Sequence, residues 1–164
     1  MWHNTAVGKW AAARLIAFAF LLCASTACAP NYRALTNEAS ALGAACNQAT
    51  AQFAVTLTPE ARREVLSQLT ALNDALIETA GYEREARRTN SVDLIDANRA
   101  FLETGRAWGS CSLEYNKVLV AIGERDAARH NYQGLMSRLT APQFVAERRQ
   151  IQLALDELDG AKSR

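Results

Sequence analysis

Side chains that could catalyse a reaction or bind a metal ion are scarce in this sequence. Beyond residue 27 the single histidine is His130, and no second histidine or cysteine lies at the spacing of a metal site. Glycine-rich phosphate loops and the GxSxG and HExxH motifs are missing. The carboxylate pairs Asp93/Asp96 and Glu83/Glu85 fall on helical faces, where solvation explains them. We therefore expect no enzyme, no cofactor and no metal site, with His130 on the surface.

The first 27 residues have the features of a secretory signal peptide. Lys9 and Arg14 supply positive charge, residues 15–22 form an uncharged apolar stretch, and residues 24–27 offer small side chains for cleavage. The apolar stretch is well short of the roughly 20 residues that a bilayer span needs, which argues against a transmembrane anchor. The sequence predicts export, with residues 1–27 removed as the signal peptide.

The segment Ser25-Thr26-Ala27-Cys28 resembles the lipobox of bacterial lipoproteins, in which the cysteine becomes the lipidated first residue of the mature chain. Ser25 departs from that pattern, which usually has Leu, Val or Ile there. Ordinary cleavage after Ala27 is the alternative, but it would leave a free, reactive thiol at the new N-terminus. We expect Cys28 to be lipidated, and Ala29 after it implies by analogy an outer-membrane lipoprotein facing the periplasm.

The longest periodic stretch runs from Ser91 to Leu139, where an apolar side chain returns every three and then four residues. That spacing is typical of a helix packed against other helices. Glycines could kink the helix near Gly105 to Ser112, but the apolar seam keeps its phase across each of them. We therefore expect one continuous helix over residues 91–139. Its seam consists of Leu94, Ala97, Phe101, Thr104, Trp108, Cys111, Tyr115, Val118, Ile122, Arg125, Arg129, Tyr132, Met136 and Leu139.

Three further helices are predicted around the long one. The first covers residues 31–55, and the second covers 59–88 after Thr58, which is a good N-cap before proline. The last covers 140–160 and begins with a capping box that ends at Gln143. We expect an all-α, antiparallel bundle of three to four helices. The predicted divisions are the signal peptide 1–27, a tether 28–34, the bundle domain 35–160 and a frayed tail 161–164.

Two cysteines remain when the signal peptide and Cys28 are set aside. Cys46 lies on the seam of the first helix and Cys111 on the seam of the long helix, so both face the same interior. An even pair in an exported protein predicts a disulfide. It would close a loop of about 65 residues and contribute on the order of 4 kcal/mol to stability. Two buried free thiols are the alternative.

Charge interrupts the long seam at Arg125 and Arg129. A charged side chain on an apolar face costs stability unless it is paired or the face is uncovered there. We expect the segment from Ile122 to Tyr132 to extend beyond the bundle and present Arg125, Arg129 and Tyr132 to a partner, because arginine and tyrosine are enriched at interface hot spots. The alternative is that the arginine stems lie along one end of the bundle.

Two short segments, Leu57-Thr58-Pro59-Glu60 and Leu139-Thr140-Ala141-Pro142-Gln143, resemble the LTxxQ repeats of small periplasmic helical proteins that act as stress chaperones or metal-stress sensors. The first segment has Ala61 where the repeat has glutamine. Both segments are also explained as helix N-termini, in which the leucine forms a hydrophobic staple and the threonine caps the helix.

Charge is nearly balanced, with 18 basic residues, two of them in the signal peptide, against 17 acidic residues. No basic stripe with interleaved aromatic residues is present, so we expect no nucleic-acid partner. The sequence favours a non-enzymatic interaction or scaffold protein of a bacterial envelope assembly, such as a secretion or conjugation complex, held to the membrane through Cys28. It does not identify the partner, and it leaves open a homo-oligomer. The alternative is a periplasmic helical chaperone or a stress or ligand sensor that works through a concave apolar face.

Overall fold

The computed structural model describes residues 30–160, and every regular element among them is helical. The all-α prediction is confirmed. The predicted signal peptide, the lipidation site Cys28 and the tail 161–164 lie outside the described residues. None of the described helices has the length and apolar character needed to cross a bilayer. The elements are α1 (Tyr32–Thr56), α2 (Pro59–Arg88), α3 (Leu94–Ala121), α4 (Arg125–Arg138), a 3₁₀ turn (Pro142–Phe144) and α5 (Val145–Gly160).

Helix α1 begins earlier than the domain boundary predicted from the sequence. The side-chain oxygen of Asn31 accepts a hydrogen bond from the backbone N–H of Ala34 at 3.0 Å, which caps the helix before Tyr32. Residues 32–34 are therefore helical, as in the predicted helix over 31–55, and the tether predicted over 28–34 does not include them.

A two-residue turn joins α1 to α2. Leu57 ends α1 in the left-handed conformation, with φ 52°, and Thr58 caps α2 by accepting a hydrogen bond from the Ala61 N–H at 3.2 Å. Pro59 occupies the first helical position, as predicted. So short a connection makes α1 and α2 antiparallel neighbours.

Helices α1, α2 and α3 pack against one another along the predicted seams. The backbones of α1 and α3 approach closely at Gly43, where an added Cβ would lie 3.0 Å from the Cβ of Ala107. This close packing brings together a continuous core. Its members from the three helices include Cys46, Phe53, Val65, Leu72, Leu76, Cys111, Tyr115 and Leu119.

The predicted continuous helix over residues 91–139 is wrong, because the chain reverses at Gly123. That glycine has φ +89°, and its N–H donates to the Val120 carbonyl at 3.1 Å. The N–H of Glu124 donates to the Leu119 carbonyl at 2.8 Å, which completes a Schellman motif. Since only three residues separate α3 from α4, the three-and-four spacing continues across the reversal. The alternative break near Gly105 does not occur, as α3 runs through it.

After the reversal, α4 packs against α3, and α5 packs against both α4 and α3. Phe144 anchors this part of the chain, since its buried ring lies 5.3 Å from the Phe101 ring and against Gly105. The predicted capping box at Thr140 is wrong. Ala141 precedes the 3₁₀ turn without a side-chain cap, and the α-helix proper starts only at Val145.

Candidate functional site

A cleft of about 440 Å³ opens between α2 and α4, with α3 as its floor. We call it the central cleft. Both helices pack on α3, yet no Cα atom of α2 comes within 8 Å of a Cα atom of α4 in this described part of the chain. The cleft is lined by Leu66, Leu69, Thr70 and Asn73 of α2, by Trp108, Ser112, Tyr115 and Asn116 of α3, and by His130, Asn131, Gly134, Leu135 and Arg138 of α4.

Arg138 closes one end of the central cleft. Its guanidinium lies over the Trp108 ring, 5.7 Å from the ring centre, and Nη1 donates a hydrogen bond to the Asn73 side-chain oxygen. Both contacts hold the guanidinium in place through neutral groups. None of the ion pairs among residues 30–160 involves Arg138. Arg138 is therefore in no direct ion pair among the described residues, and the Asn73 side chain that holds it donates in turn to the Asp74 carboxylate at 3.5 Å.

The opposite end of the cleft is closed by a compensated arginine. Arg62 of α2 donates to both carboxylate oxygens of Glu124, at 2.8 and 2.6 Å, and its Nε donates to the Tyr115 hydroxyl at 3.1 Å. These hydrogen bonds raise the pKa of Arg62 above its ordinary value. The contact fixes the turn before α4 to α2, and the arginine at this end of the cleft already has a carboxylate partner.

Amide side chains stand in the middle of the cleft. The side-chain N–H of Asn131 donates to the Asn116 side-chain oxygen at 2.9 Å, and Asn116 is 1% exposed. Ser112 lies one turn before Asn116 on the same face of α3 and is also buried. Within the described contacts, the Asn131 oxygen and the Asn116 nitrogen keep further hydrogen-bonding capacity toward the cleft. The floor therefore offers polar groups between apolar walls.

The structure does not support the predicted presentation of Arg125, Arg129 and Tyr132 on a protruding segment. Helix α4 packs back on the bundle and α5 covers its seam. Arg129 forms ion pairs with Asp126, at 2.9 Å, and with Asp159 of α5, at 3.0 Å. The Arg129 side chain is 17% exposed.

Tyr132 is 1% exposed and so is buried in the core. Arg125 alone of the three is exposed, at the rim of a small pocket whose lining includes Tyr132. The expected protrusion is therefore wrong, because the positions form the α4–α5 contact.

Burial gives Tyr132 a testable pH dependence. Desolvation, with smaller contributions from Glu114 and Glu157, raises the pKa of the phenol to about 12. The folded state thus favours the neutral phenol. The buried phenol of Tyr132 therefore contributes fully to stability below about pH 10, and this contribution is lost as the pH rises toward 12. We expect urea unfolding between pH 9 and pH 12 to show this decline in wild type and a flatter profile in Tyr132→Phe. Identical profiles would contradict the assignment.

The predicted disulfide is confirmed. Cys46 of α1 and Cys111 of α3 are bonded and fully buried, and the Thr50 hydroxyl lies 3.6 Å from the Cys111 sulfur. Cys111 immediately precedes Ser112, so the crosslink joins α3 next to a residue that lines the central cleft.

Sequence reasoning missed the central cleft, although it identified several of its residues for other reasons. Trp108 is buried as a seam residue should be, and His130 is exposed as expected. A signal was available in Ser112 and Asn116, two polar residues one turn apart beside the apolar seam. In the part of the chain that the structure describes, no group of three or more histidine, cysteine, aspartate or glutamate side chains could hold a metal ion.

The chain matches no protein-family model, and comparison with curated proteins and with solved structures finds no similar protein.

Proposed function

We propose that this protein is an exported, non-enzymatic interaction component of a bacterial envelope assembly, of the secretion or conjugation kind. In this proposal a lipid on Cys28 anchors it at the periplasmic face of the outer membrane, and a segment of a partner protein binds in the central cleft. The observation that carries the proposal is the cleft itself, where apolar walls, a pair of hydrogen-bonded amides and one arginine outside the described ion pairs surround a floor formed by α3.

The buried disulfide supports export. Disulfides persist in oxidising compartments such as the periplasm and are rare in the cytosol. Cys46 and Cys111 are enclosed by the core between α1 and α3, where a permanent structural crosslink is expected.

The chemistry of the cleft supports binding over catalysis. Ser112 and His130 both line it, but no hydrogen bond joins them among the described contacts, and no carboxylate lines the cleft to orient the imidazole. A serine nucleophile needs an adjacent base that is itself held by a third group. The cleft also differs from the broad apolar face that a chaperone would need, because polar groups stand at its centre and one end.

Site-specific photocrosslinking tests the proposal. We place p-benzoylphenylalanine at Leu66 or Thr70, on the α2 wall of the cleft, in cells that export the full chain. Gln48, exposed on α1 away from the cleft, is the matched control. We expect a discrete crosslinked product from Leu66 and Thr70 and none from Gln48.

Other crosslinking results would contradict the proposal. A ladder of many products would favour the chaperone, and a product of twice the chain mass would identify a second copy of this chain as the occupant. Equal products from the cleft positions and from Gln48 would contradict the central cleft as the binding site.

The anchor is tested by the intact mass of protein purified from native membranes, before and after reduction and alkylation. We expect a chain that starts at an acylated Cys28, with Cys46 and Cys111 alkylated only after reduction. A chain that starts at Cys28 without lipid, or an uncut N-terminus, would overturn the anchor and favour a soluble chaperone or sensor.

A further inference from the structure

The electrostatics of the central cleft favour an anionic ligand. Among residues 30–160, no carboxylate lines the cleft, and Arg138 is the one lining residue with a permanent charge. At the opposite end Arg62 already pairs with Glu124, so Arg138 is the lining arginine that is left to pair directly with an incoming anion. The Trp108 ring and the Asn73 amide hold the Arg138 guanidinium while leaving most of its five N–H donors for a ligand.

Apolar side chains flank the arginine. Leu66 and Leu69 on the α2 wall and Leu135 on the α4 wall face the same space as Trp108. Leu66 is 44% exposed, so a ligand that covers it gains apolar burial. The cleft therefore has room for an apolar side chain next to the carboxylate that Arg138 would bind.

The amides in the middle distinguish an extended peptide from a helix. A helical ligand satisfies its backbone internally and needs an apolar groove, whereas an extended peptide carries free N–H and C=O groups that require partners. Asn116 and Asn131 present one amide donor and one amide acceptor at the centre of the cleft, with the Ser112 hydroxyl beside them. These groups match the backbone of an extended chain.

We propose that the central cleft binds an extended, acidic segment of the partner protein, with a ligand carboxylate on Arg138, an adjacent apolar side chain against Trp108 and Leu66, and backbone amides on Asn116 and Asn131. This inference rests on the proposed function, in which the cleft holds a partner segment.

An array of randomised hexapeptides, acetylated and amidated so that their termini carry no charge, tests the proposal with the disulfide-bonded mature protein. We expect aspartate or glutamate beside an apolar residue to be enriched among the bound peptides. The best acidic hexapeptide is then titrated against the fluorescence of Trp108, which is the only tryptophan beyond residue 27 and lies in the cleft itself.

Substitutions test whether Arg138 binds the carboxylate of the peptide. We expect Arg138→Gln to weaken binding of that peptide roughly 10- to 100-fold, as loss of a charge-assisted hydrogen bond does, and Arg138→Lys to fall between. Arg149→Gln, at an exposed arginine of α5 outside the cleft, is the matched control and should change nothing. Replacing the peptide's acidic residue by its amide should match the loss seen with Arg138→Gln, and N-methylation of its central backbone amides should also weaken binding.

Any of four results would overturn the inference. They are the absence of peptide binding above background, the absence of a preference for acidic peptides, the same acidic preference in Arg138→Gln, and tighter binding by a helix-stapled form of the peptide. These outcomes are distinct from failure of the proposed function. Crosslinks from Leu66 without a preference for acidic peptides would mean that a partner binds in the cleft through other contacts. Absence of crosslinks from the cleft positions would contradict both the proposed function and this inference.

Discussion

Replacing Cys46 and Cys111 together by alanine is expected to lower the free energy of unfolding by about 4 kcal/mol. The crosslink joins residues 65 apart in sequence, so it removes a large part of the conformational freedom of the unfolded chain. Both residues are fully buried, and alanine avoids the unsatisfied hydroxyls that serine would place there. A loss of this size is a large fraction of the 5–15 kcal/mol that stabilises a typical domain.

Urea unfolding followed by circular dichroism measures this loss, with and without reductant. Reductant should destabilise the wild-type protein by a similar amount and should leave the double-alanine variant unchanged. A loss below about 1 kcal/mol would show that helix packing alone fixes α1 on α3, and that the chain-entropy account of this crosslink is wrong.

Gly105→Ala is expected to destabilise the protein by about 2 kcal/mol, although alanine is the better helix former. In the interior of α3 the substitution gains about 1 kcal/mol of helix propensity. A Cβ at this position would lie 2.3 Å from Cζ and 2.6 Å from Cε1 of Phe144. That ring is buried against Phe101 and has little freedom to move, so overpacking of up to about 3 kcal/mol outweighs the gain.

Gly81→Ala is the matched control, because Gly81 is also a helix-interior glycine but has nothing within 4 Å of an added Cβ. We expect this variant to be more stable than wild type by about 0.5–1 kcal/mol, so the two glycine substitutions should shift the urea midpoint in opposite directions. Phe144→Leu should reduce the cost of Gly105→Ala when the two are combined. Shifts of the same sign for Gly81→Ala and Gly105→Ala would contradict the close contact with Phe144.

The parts of the fold that follow from local rules were predictable from the sequence. The cap Thr58, Pro59 at the first position of α2, and the seam positions of Cys46 and Cys111 each depend on neighbours within about one turn along the chain. These features located α1 and α2 to within a residue or two and paired the cysteines correctly.

The reversal at Gly123 was not predictable from periodicity, because its three-residue turn preserved the phase of the seam. The misplacement of Tyr132 followed from that error. On a straight helix it would have projected beyond its neighbours, whereas on the returning α4 it is enclosed by α5. The central cleft exists only because α4 returns along α3 without touching the α2 backbone, and no pattern within one helix encodes that spacing.

The disulfide also determines how the molecule would carry mechanical load. With Cys28 held in a membrane and a partner pulling on the floor of the cleft, tension would travel along α1 to Cys46, cross the S–S bond, and reach Cys111 beside Ser112. Helix α2 and the first half of α3 lie inside the closed loop and are not part of that covalent path. If Cys28 is anchored as proposed, a covalent path would join the anchor to the floor of the cleft, and unfolding of the residues between Cys46 and Cys111 could not lengthen that path.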